Sequence, residues 1–405
     1  MAFYRKIAYY SLLFCSLCHS STFAQDTTKI NVDSVPQKDF VDVFSSIFKS
    51  KKHPTDTIKN VSTKKNQFAI VPVLGYTLQT GLVFDFSSNL VYRRGDKDST
   101  NLSTWVGGIS YTEKDQLLFY LQSTAWSKNN KWNFTTDCRF YKYPQNTYGL
   151  GGNTKPSDAI LVKYNFFRLY ETAFKKVKEN IYLGVGYMLD MHWKITQDRT
   201  ILQPITDFER YGYKTESNSS GVCLNFLYDT RDNPVNAYKG FYSNILFRYN
   251  STLFASDNEW TALIIDVRKY IQLDKKHTVL AFWSYDWFTP SGKAPYLDLP
   301  STAWDPFNNL GRGYIQSRFR SPNLLYLESE LRFNLTRNNL LGAAIFANAQ
   351  SYSEWGTTKF EKVLPGIGAG LRLKFNKHSR TNLAVDYAFG LNGSGGIFVN
   401  LGEVF

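Results

Sequence analysis

Short segments of alternating apolar and polar residues follow one another from Gln67 to the end of the chain. In 381–389, for example, Leu383 and Val385 fall on one side of an extended strand and Asp386 falls on the other. The pattern predicts sixteen strands, at 68–74, 81–92, 101–112, 116–126, 131–143, 160–174, 181–193, 218–228, 240–252, 259–272, 277–288, 319–333, 339–351, 361–375, 380–390 and 395–405. An even number of such segments is typical of closed single-chain barrels. We therefore predict an all-β fold, a sixteen-stranded antiparallel transmembrane β-barrel over 67–405.

The breaks between the predicted strands alternate in length. The longest breaks, 144–159, 194–217 and 289–318, follow the fifth, seventh and eleventh strands, whereas short breaks such as 127–130 follow even strands. Outer-membrane barrels have long extracellular loops and short periplasmic turns, so we expect both ends of the barrel in the periplasm. Only the break at 229–239, after the eighth strand, is long for its side.

Composition supports a membrane barrel made of strands. Mean hydropathy is −0.33, and beyond the first 24 residues no apolar run approaches the roughly 18 residues of a membrane helix. Aromatic residues make up 17% of the chain, which suits aromatic girdles at two membrane interfaces. The formal charge of +13 predicts a lumen or rim rich in Lys and Arg, because we expect no nucleic acid as a partner of an exported chain. A secreted β-sandwich or a soluble barrel is the alternative.

The first residues have the layout of a cleaved signal peptide. Arg5 and Lys6 precede an apolar stretch at 7–17, and Ala24 supplies a small residue before Gln25. We therefore predict a signal peptide at 1–24. A lipoprotein leader is the alternative because cysteines stand at positions 15 and 18, although bulky residues precede both of them.

A polar, lysine-rich segment at 25–66 separates the signal peptide from the barrel. An apolar stripe within it predicts one short amphipathic helix near 38–49. The stripe consists of Phe40, Val43, Phe44, Ile47 and Phe48. Such a stripe requires burial, but docking on the barrel and plugging of the lumen both remain open. We predict a periplasmic leader that carries this helix.

No residue pattern indicates a catalytic or metal site. His192, His277 and His378 are the histidines of the barrel region, and none has metal-ligand or nucleophile-base spacing. Ser394 stands among glycines, but a serine elbow needs a strand-to-helix turn, and this turn joins two predicted strands. We therefore expect no enzyme, no cofactor and no metal.

The last predicted strand, 395–405, ends on an aromatic residue. Alternation would place its apolar side chains on one face. They are Ile397, Val399, Leu401 and Phe405. A final strand that ends on Phe resembles the insertion signal of bacterial outer-membrane barrels. We therefore predict a location in the bacterial cell outer membrane, with outer-membrane lipid as a partner.

Two further motifs carry a resemblance to a known family. The first lies at the end of the predicted eighth strand and comprises Tyr228, Asp229, Arg231, Asp232, Pro234 and Gly240. The second lies in the break at 289–318 and comprises Gly311, Arg312, Gly313 and Tyr314. In this order the motifs resemble the BamA/TamA family of outer-membrane assembly and translocation barrels, also called the bacterial surface antigen family. The resemblance covers about residues 67–405.

The resemblance implies a latch inside the barrel. In the family, the loop with the arginine motif folds back into the lumen, and its arginine, here Arg312, meets acidic residues on the inner faces of strands. Glu330 matches one acidic position, and Asp386 projects to the same side. Asn348 stands where the family often has an aspartate, so it can accept a hydrogen bond but supplies no charge. A guanidinium group suits carboxylates because its donors form a fixed fork.

The resemblance also implies a function in the insertion or translocation of proteins, or of lipids, at the outer membrane. A helper protein and client proteins would be its partners. In the family the mechanism uses a weak seam between the first and last strands, and Pro72, Gly395 and Gly396 would weaken pairing there. Family members that assemble proteins carry periplasmic POTRA domains, and 25–66 is too short to hold one. A passive pore, or a structural or accessory barrel subunit of an outer-membrane complex, is the alternative.

Overall fold

The computed structural model describes residues 37–40, 42, 66–77, 79–96, 99–199, 204–377 and 379–405. Its sixteen strands form one sheet in which each strand pairs with the next along the chain. They are β1 (Asn66–Thr77), β2 (Gly81–Tyr92), β3 (Ser103–Thr112), β4 (Leu117–Trp126), β5 (Trp132–Thr147), β6 (Ile160–Lys178), β7 (Ile181–Gln197), β8 (Glu216–Asp229), β9 (Gly240–Asn250), β10 (Trp260–Gln272), β11 (Val279–Phe288), β12 (Leu324–Asn334), β13 (Leu341–Tyr352), β14 (Leu364–Asn376), β15 (Thr381–Phe389) and β16 (Gly395–Leu401). The longest helix among these residues is α1 (Asp207–Gly212). The predicted all-β, sixteen-stranded antiparallel barrel is confirmed.

The alternating pattern places apolar side chains outside. On β15, Val385, Tyr387 and Phe389 are exposed on the outer face, whereas Ala384 and Asp386 are buried on the inner one. Every other side chain can therefore face a hydrocarbon layer while its neighbours fill the lumen. Within the ranges given above, no helix is both long and apolar enough to cross a membrane.

The sheet has two free edges, β1 and β16. Every pair of strands that are consecutive in the chain, from β1–β2 to β15–β16, is joined by an antiparallel ladder. The edges approach each other, with some Cα atoms of the two strands within 8 Å. No ladder joins them in the described part of the chain. The barrel is thus nearly closed, with one seam that lacks backbone pairing.

The connections follow the predicted alternation. The long ones, 148–159, 198–215 and 289–323, follow odd strands, and short ones such as 127–131 follow even strands. We call the end of the barrel with the long connections the loop end, and the other the turn end. The connection at 230–239 lies at the turn end and is long for its side, as the sequence indicates.

Several predicted strand ends were wrong: β1, β5, β6 and β7 extend three or four residues further than predicted, β14 begins at Leu364 instead of 361, and β12 and β16 are shorter than predicted. β12 begins at Leu324 instead of 319, because residues up to 323 belong to the preceding loop. β16 ends at Leu401 instead of 405, because Gly402 adopts a φ of 119° and turns the chain. Phe405 is then only 6% exposed and lies inside the barrel. The alternation predicts that Phe405 shares one face with Ile397, and this prediction was wrong, because Ile397 is exposed on the outer face.

The predicted signal peptide at 1–24 lies outside the described residues, as do His378 and most of the leader at 25–66. The helix predicted near 38–49 is described only at 37–40 and 42. There, the backbone N–H of Lys38 donates to the carbonyl of Asn338 at 3.1 Å. The carboxylate of Asp42 accepts from the Lys377 ammonium at 2.7 Å. This segment thus contacts the turns that follow β12 and β14.

Candidate functional site

The loop at 289–323 folds into the lumen and is braced by its own residues. Arg320, which is 1% exposed, donates from Nη1 to the carbonyls of Tyr296 and Leu297, both at 3.0 Å. The loop also contacts the wall, where the Asp298 carboxylate accepts from the hydroxyl of Ser219 at 2.5 Å. Burial, followed by the charge of the nearby Asp190, raises the pKa of Asp298 to about 7.

Gly311 and Gly313 shape the turn that carries Arg312. Their φ angles of 84° and 105° lie in the region that favours glycine. A Cβ atom on Gly313 would also lie 2.7 Å from the carbonyl oxygen of Phe389, so a side chain there would push the loop away from β15. The glycines therefore let the loop lie close to the wall and present the arginine to it.

Arg312 lies against three carboxylates on the inner wall. Its Nη1 donates to Asp386 at 2.6 Å, and its Nη2 donates to Glu330 at 2.5 Å and to Glu328. The guanidinium carbon is 3.3 Å from the centre of the Phe346 ring. Burial alone would lower the pKa of Arg312, but the three carboxylates raise it above its ordinary value. The arginine is therefore charged and held by strands β12 and β15 together.

A second row of charges extends this site toward the end of the chain. Arg332 donates to Glu330 at 2.6 Å, and Arg372 bonds to Asp386 at 2.5 Å and to Glu403 at 2.8 Å. We call Arg312, Arg332, Arg372, Glu328, Glu330, Asp386 and Glu403 the luminal cluster. The cluster joins the loop, the inner faces of β12, β14 and β15, and the residues after β16.

Asn348 contacts the backbone of the loop motif. Its side-chain amide donates to the backbone carbonyl of Arg312 at 2.9 Å. Its Oδ1 atom has no hydrogen-bond partner in the described part of the chain. Asn348 thus holds the backbone of the loop motif, while the carboxylates hold its guanidinium.

The remaining motif residues tie the loop to the last hairpin. The hydroxyl of Tyr314 donates to the carbonyl of Pro365 at 2.6 Å and accepts from the backbone N–H of Leu391 at 3.0 Å. The hydroxyl of Ser394 donates to the carbonyl of Gly313 at 2.8 Å. The motif therefore contacts β14 and the connection between β15 and β16.

The first motif forms the turn between β8 and β9. Arg231 bonds to both oxygens of Asp229, at 3.0 and 2.8 Å, and lies over the ring of Tyr242. Asp232 accepts from the Arg380 guanidinium at 2.6 Å, across the turn end. Gly240 has a φ of 121° and packs against the backbone of residue 230. The length of this turn thus lets it reach the connection between β14 and β15.

Two other residues of this motif, Tyr228 and Pro234, support the same turn. The ring of Tyr228 is 5.9 Å from that of Phe241 on β9. The carbonyl of Pro234 accepts from Nη1 of Arg231 at 3.3 Å.

The tail after β16 packs inside the barrel. The ring of Phe405 lies 5.3 Å from that of Trp283 and 6.3 Å from that of Tyr270. Arg332 donates to the carbonyl oxygen of Phe405 at 2.9 Å, and Asn309 of the loop donates to that of Val404 at 2.8 Å. Ile397 and Leu401 remain exposed on the outer face, and Val399 is partly buried. Of the residues in the predicted terminal signal, Ile397 and Leu401 thus lie on the outer face of the wall, and Phe405 lies inside the barrel.

Sequence reasoning brought Arg312, Glu330 and Asp386 together but missed other members of the cluster. Glu328 stands two residues before Glu330, so strand alternation already placed both on the same inner face. No local pattern in the sequence indicated Arg372 or Glu403. Arg372 lies on β14 and Glu403 follows β16, so their contact depends on how separate elements pack.

No protein-family model matches this sequence, and no curated protein matches it. Among solved structures, the barrel is similar to BamA from Haemophilus ducreyi lacking POTRA domains 1–3. The TM-score is 0.55 and the identity 15%, over 84% of this chain and 69% of that one. CdiB from Acinetobacter baumannii gives a TM-score of 0.53 and 12% identity, over 84% of this chain and 60% of that one. CdiB from Escherichia coli gives a TM-score of 0.53 and 10% identity, over 85% of this chain and 67% of that one.

The chain thus spans between 60% and 69% of the length of these relatives. At such low identity the comparison concerns the fold. It confirms the barrel expected from the resemblance to the BamA/TamA family. The chain has a barrel of the BamA and CdiB type, which is the fold of an outer-membrane protein.

Proposed function

We propose that this chain assists the insertion or translocation of proteins, or of lipids, at the bacterial outer membrane. The barrel lies in that membrane as a member of the BamA/TamA superfamily, with its turn end toward the periplasm. Its working part is the seam between β1 and β16. Its partners are outer-membrane lipid, client proteins and a helper that delivers them.

The observation that carries the proposal is the seam without a ladder. Strands β1 and β16 are neighbours, yet they share no backbone pairing among the described residues. An unpaired edge presents N–H and C=O groups that bind an extended strand of another chain. In a lipid environment such groups are costly to leave unpaired, so the edge favours an incoming strand.

The luminal cluster supports this role because it stiffens the wall on one side of the seam. The cluster holds β12, β14 and β15 together through charged contacts, and Glu403 adds the tail that follows β16. The β1 side has no member of this cluster. One edge is therefore fixed while the other is free to move with its hairpin.

The test is a disulfide across the seam in living cells. Cysteines are placed at outward positions of β1, such as Ile70 or Leu74, and at Ile397 of β16, in a chain whose Cys138 and Cys223 are replaced by alanine. We take the pair that oxidises most completely. We expect oxidation to lower the amount of client protein or lipid that reaches the outer membrane, and a reductant to restore it.

The matched control is a disulfide within the existing ladder, between Val385 and Val399, which face each other on β15 and β16. Oxidation there should leave assembly unchanged, because those strands are already paired. Equal assembly with an oxidised and a reduced seam would contradict the proposal.

A passive pore is the alternative that the sequence leaves open. The loop at 289–323 lies inside the lumen, with Arg312 1% exposed, which argues against a wide open channel. Single-channel recording in planar bilayers separates the two functions. We expect small conductance for the native chain, and stable conductance of porin size would favour the pore.

A further inference from the structure

A small recess opens in the wall of the barrel at the turn end, beside the tail. Its volume is about 30 Å³, enough for about two water-sized groups. The turns at 230–239 and 273–278, the ends of β12, β14 and β15, and the tail supply its lining. Lys374 and Arg332 line it together, and both are at least nine-tenths buried.

These two cations have hydrogen-bond donors that the protein does not use. No hydrogen bond or ion pair within the described ranges engages the ammonium group of Lys374, which is 9% exposed. Arg332 uses Nε and Nη2 for Glu330 and for the Phe405 carbonyl. Its Nη1 is buried and has no acceptor in the same ranges. An enclosed donor of a charged group is unfavourable without an acceptor, and Nη1 of Arg332 is such a donor, so an acceptor that reaches it together with Lys374 would be bound.

The other charged groups of the lining are already engaged. Arg372 bonds to Glu403 at 2.8 Å, and Asn382 donates to the same carboxylate at 2.5 Å. Burial lowers the pKa of His277, so its ring is uncharged at neutral pH. Lys374 and Arg332 are therefore the cations of the lining that still have donors for a ligand.

The surroundings of the recess attract anions. The four connections next to it, 230–239, 273–278, 335–340 and 377–380, carry seven Lys or Arg residues and two Asp residues. Arg231, Lys377 and Arg380 are paired with Asp229, Asp42 and Asp232, and the remaining excess of positive charge raises the local concentration of counter-ions and speeds their arrival. The recess thus combines a basic approach with two donors at its end.

We propose that this recess binds a phosphate group, carried by a free phosphate ion or by a phospholipid head group. Lys374 and Nη1 of Arg332 donate to two of its oxygens in charge-assisted hydrogen bonds. The volume admits the outer oxygens of a phosphate and excludes a sugar ring. The site works with the seam open or closed, so it stands independently of the proposed function.

The first test is titration calorimetry of the full chain in a maltoside detergent with sodium phosphate, with sodium chloride keeping the ionic strength constant. We expect saturable binding that Lys374→Met weakens at least about tenfold, because one charge-assisted bond is lost. Lys276→Met, at an exposed position of a neighbouring turn, is the matched control and should bind as the native chain does. Absent binding, or equal affinity in both variants, would overturn the proposal.

The second test separates a ligand site from a merely structural lysine. In phosphate-free buffer, Lys374→Met should raise the temperature at which the barrel unfolds on gels, since the ammonium group of a largely buried side chain, which has no hydrogen-bond partner among the described residues, is removed. Phosphate should stabilise the native chain and leave the variant unchanged. A variant less stable than the native chain in both buffers would show that Lys374 serves the fold, and would overturn the proposal.

Nanodiscs distinguish the two sources of the phosphate group. If a head group binds, nanodiscs with phosphatidic acid stabilise the native chain more than phosphatidylcholine nanodiscs do, and added phosphate removes the difference. If the free ion binds, phosphate stabilises the chain equally in both lipids. Stabilisation by chloride as strong as that by phosphate means non-specific screening and contradicts the site.

Discussion

Replacing Arg312 with alanine should destabilise the barrel by about 3–5 kcal/mol, the usual loss when one partner of a buried charge pair is removed. The substitution leaves Glu328 with Tyr326 as its remaining partner in the described part of the chain. Glu330 remains paired with Arg332, and Asp386 remains paired with Arg372. These remaining ion pairs limit the loss of stability. The substitution also removes the contact between the guanidinium group and the Phe346 ring. This contact accounts for about 0.5–2 kcal/mol of the expected destabilisation.

A double-variant cycle identifies the carboxylate that is left unpaired. Glu328→Gln removes the charge but keeps the shape, so Arg312→Ala combined with Glu328→Gln should recover about 1–2 kcal/mol relative to Arg312→Ala alone. Arg210→Ala is the matched control, since Arg210 is 56% exposed in its side chain and pairs with Asp207 at 3.6 Å. It should change stability by less than about 1 kcal/mol.

Urea unfolding of the barrel in lipid vesicles measures these differences, and limited proteolysis reports on the loop. We expect Arg312→Ala to unfold at lower urea and to be cut within 289–323. An unchanged midpoint for Arg312→Ala would refute the latch. A double variant as unstable as the single one would refute the assignment to Glu328.

Three further predictions follow from the geometry. Phe405→Ala should destabilise the barrel by about 3 kcal/mol and slow its insertion, because an inward aromatic ring is lost; normal yield of the heat-modifiable folded form would contradict this. A cysteine at Ser157 should react with an impermeant reagent on intact cells, and one at Asn129 should not; labelling at 129 would reverse the topology. Because the pKa of Asp298 is about 7 against an ordinary 3.8, its stabilising contribution is complete below pH 3.8 and is lost as the pH rises through 7. Proteolysis of 289–323 should thus increase between about pH 4 and 7, and Asp298→Asn should remove that dependence; a dependence unchanged in the variant would exclude Asp298 as its source.

The sequence predicted the wall well because strand alternation is a local property. A lipid outside and a packed lumen inside require opposite polarity at successive residues, as Val385 and Asp386 show. Loop length varies mainly with the side of the membrane, so its alternation along the chain indicated the end of the barrel at which most connections lie.

The tail and the second row of charges could not be predicted in the same way. Alternation continues past Leu401, but the positive φ of Gly402 turns Phe405 into the lumen. Glu403 meets Arg372 only because that turn brings the tail to β14. Contacts between separate elements depend on the closed barrel, which a local pattern does not contain.

Photocross-linking in growing cells tests most directly whether the seam is the working edge. A photoreactive amino acid is placed at Ile70 on β1 or at Leu183 on β7, both exposed on the outer face. We predict transient cross-links from position 70 to newly exported strands or lipids, which disappear during a chase, and none from position 183. Identical products at both positions, or no transient product at position 70, would contradict the account.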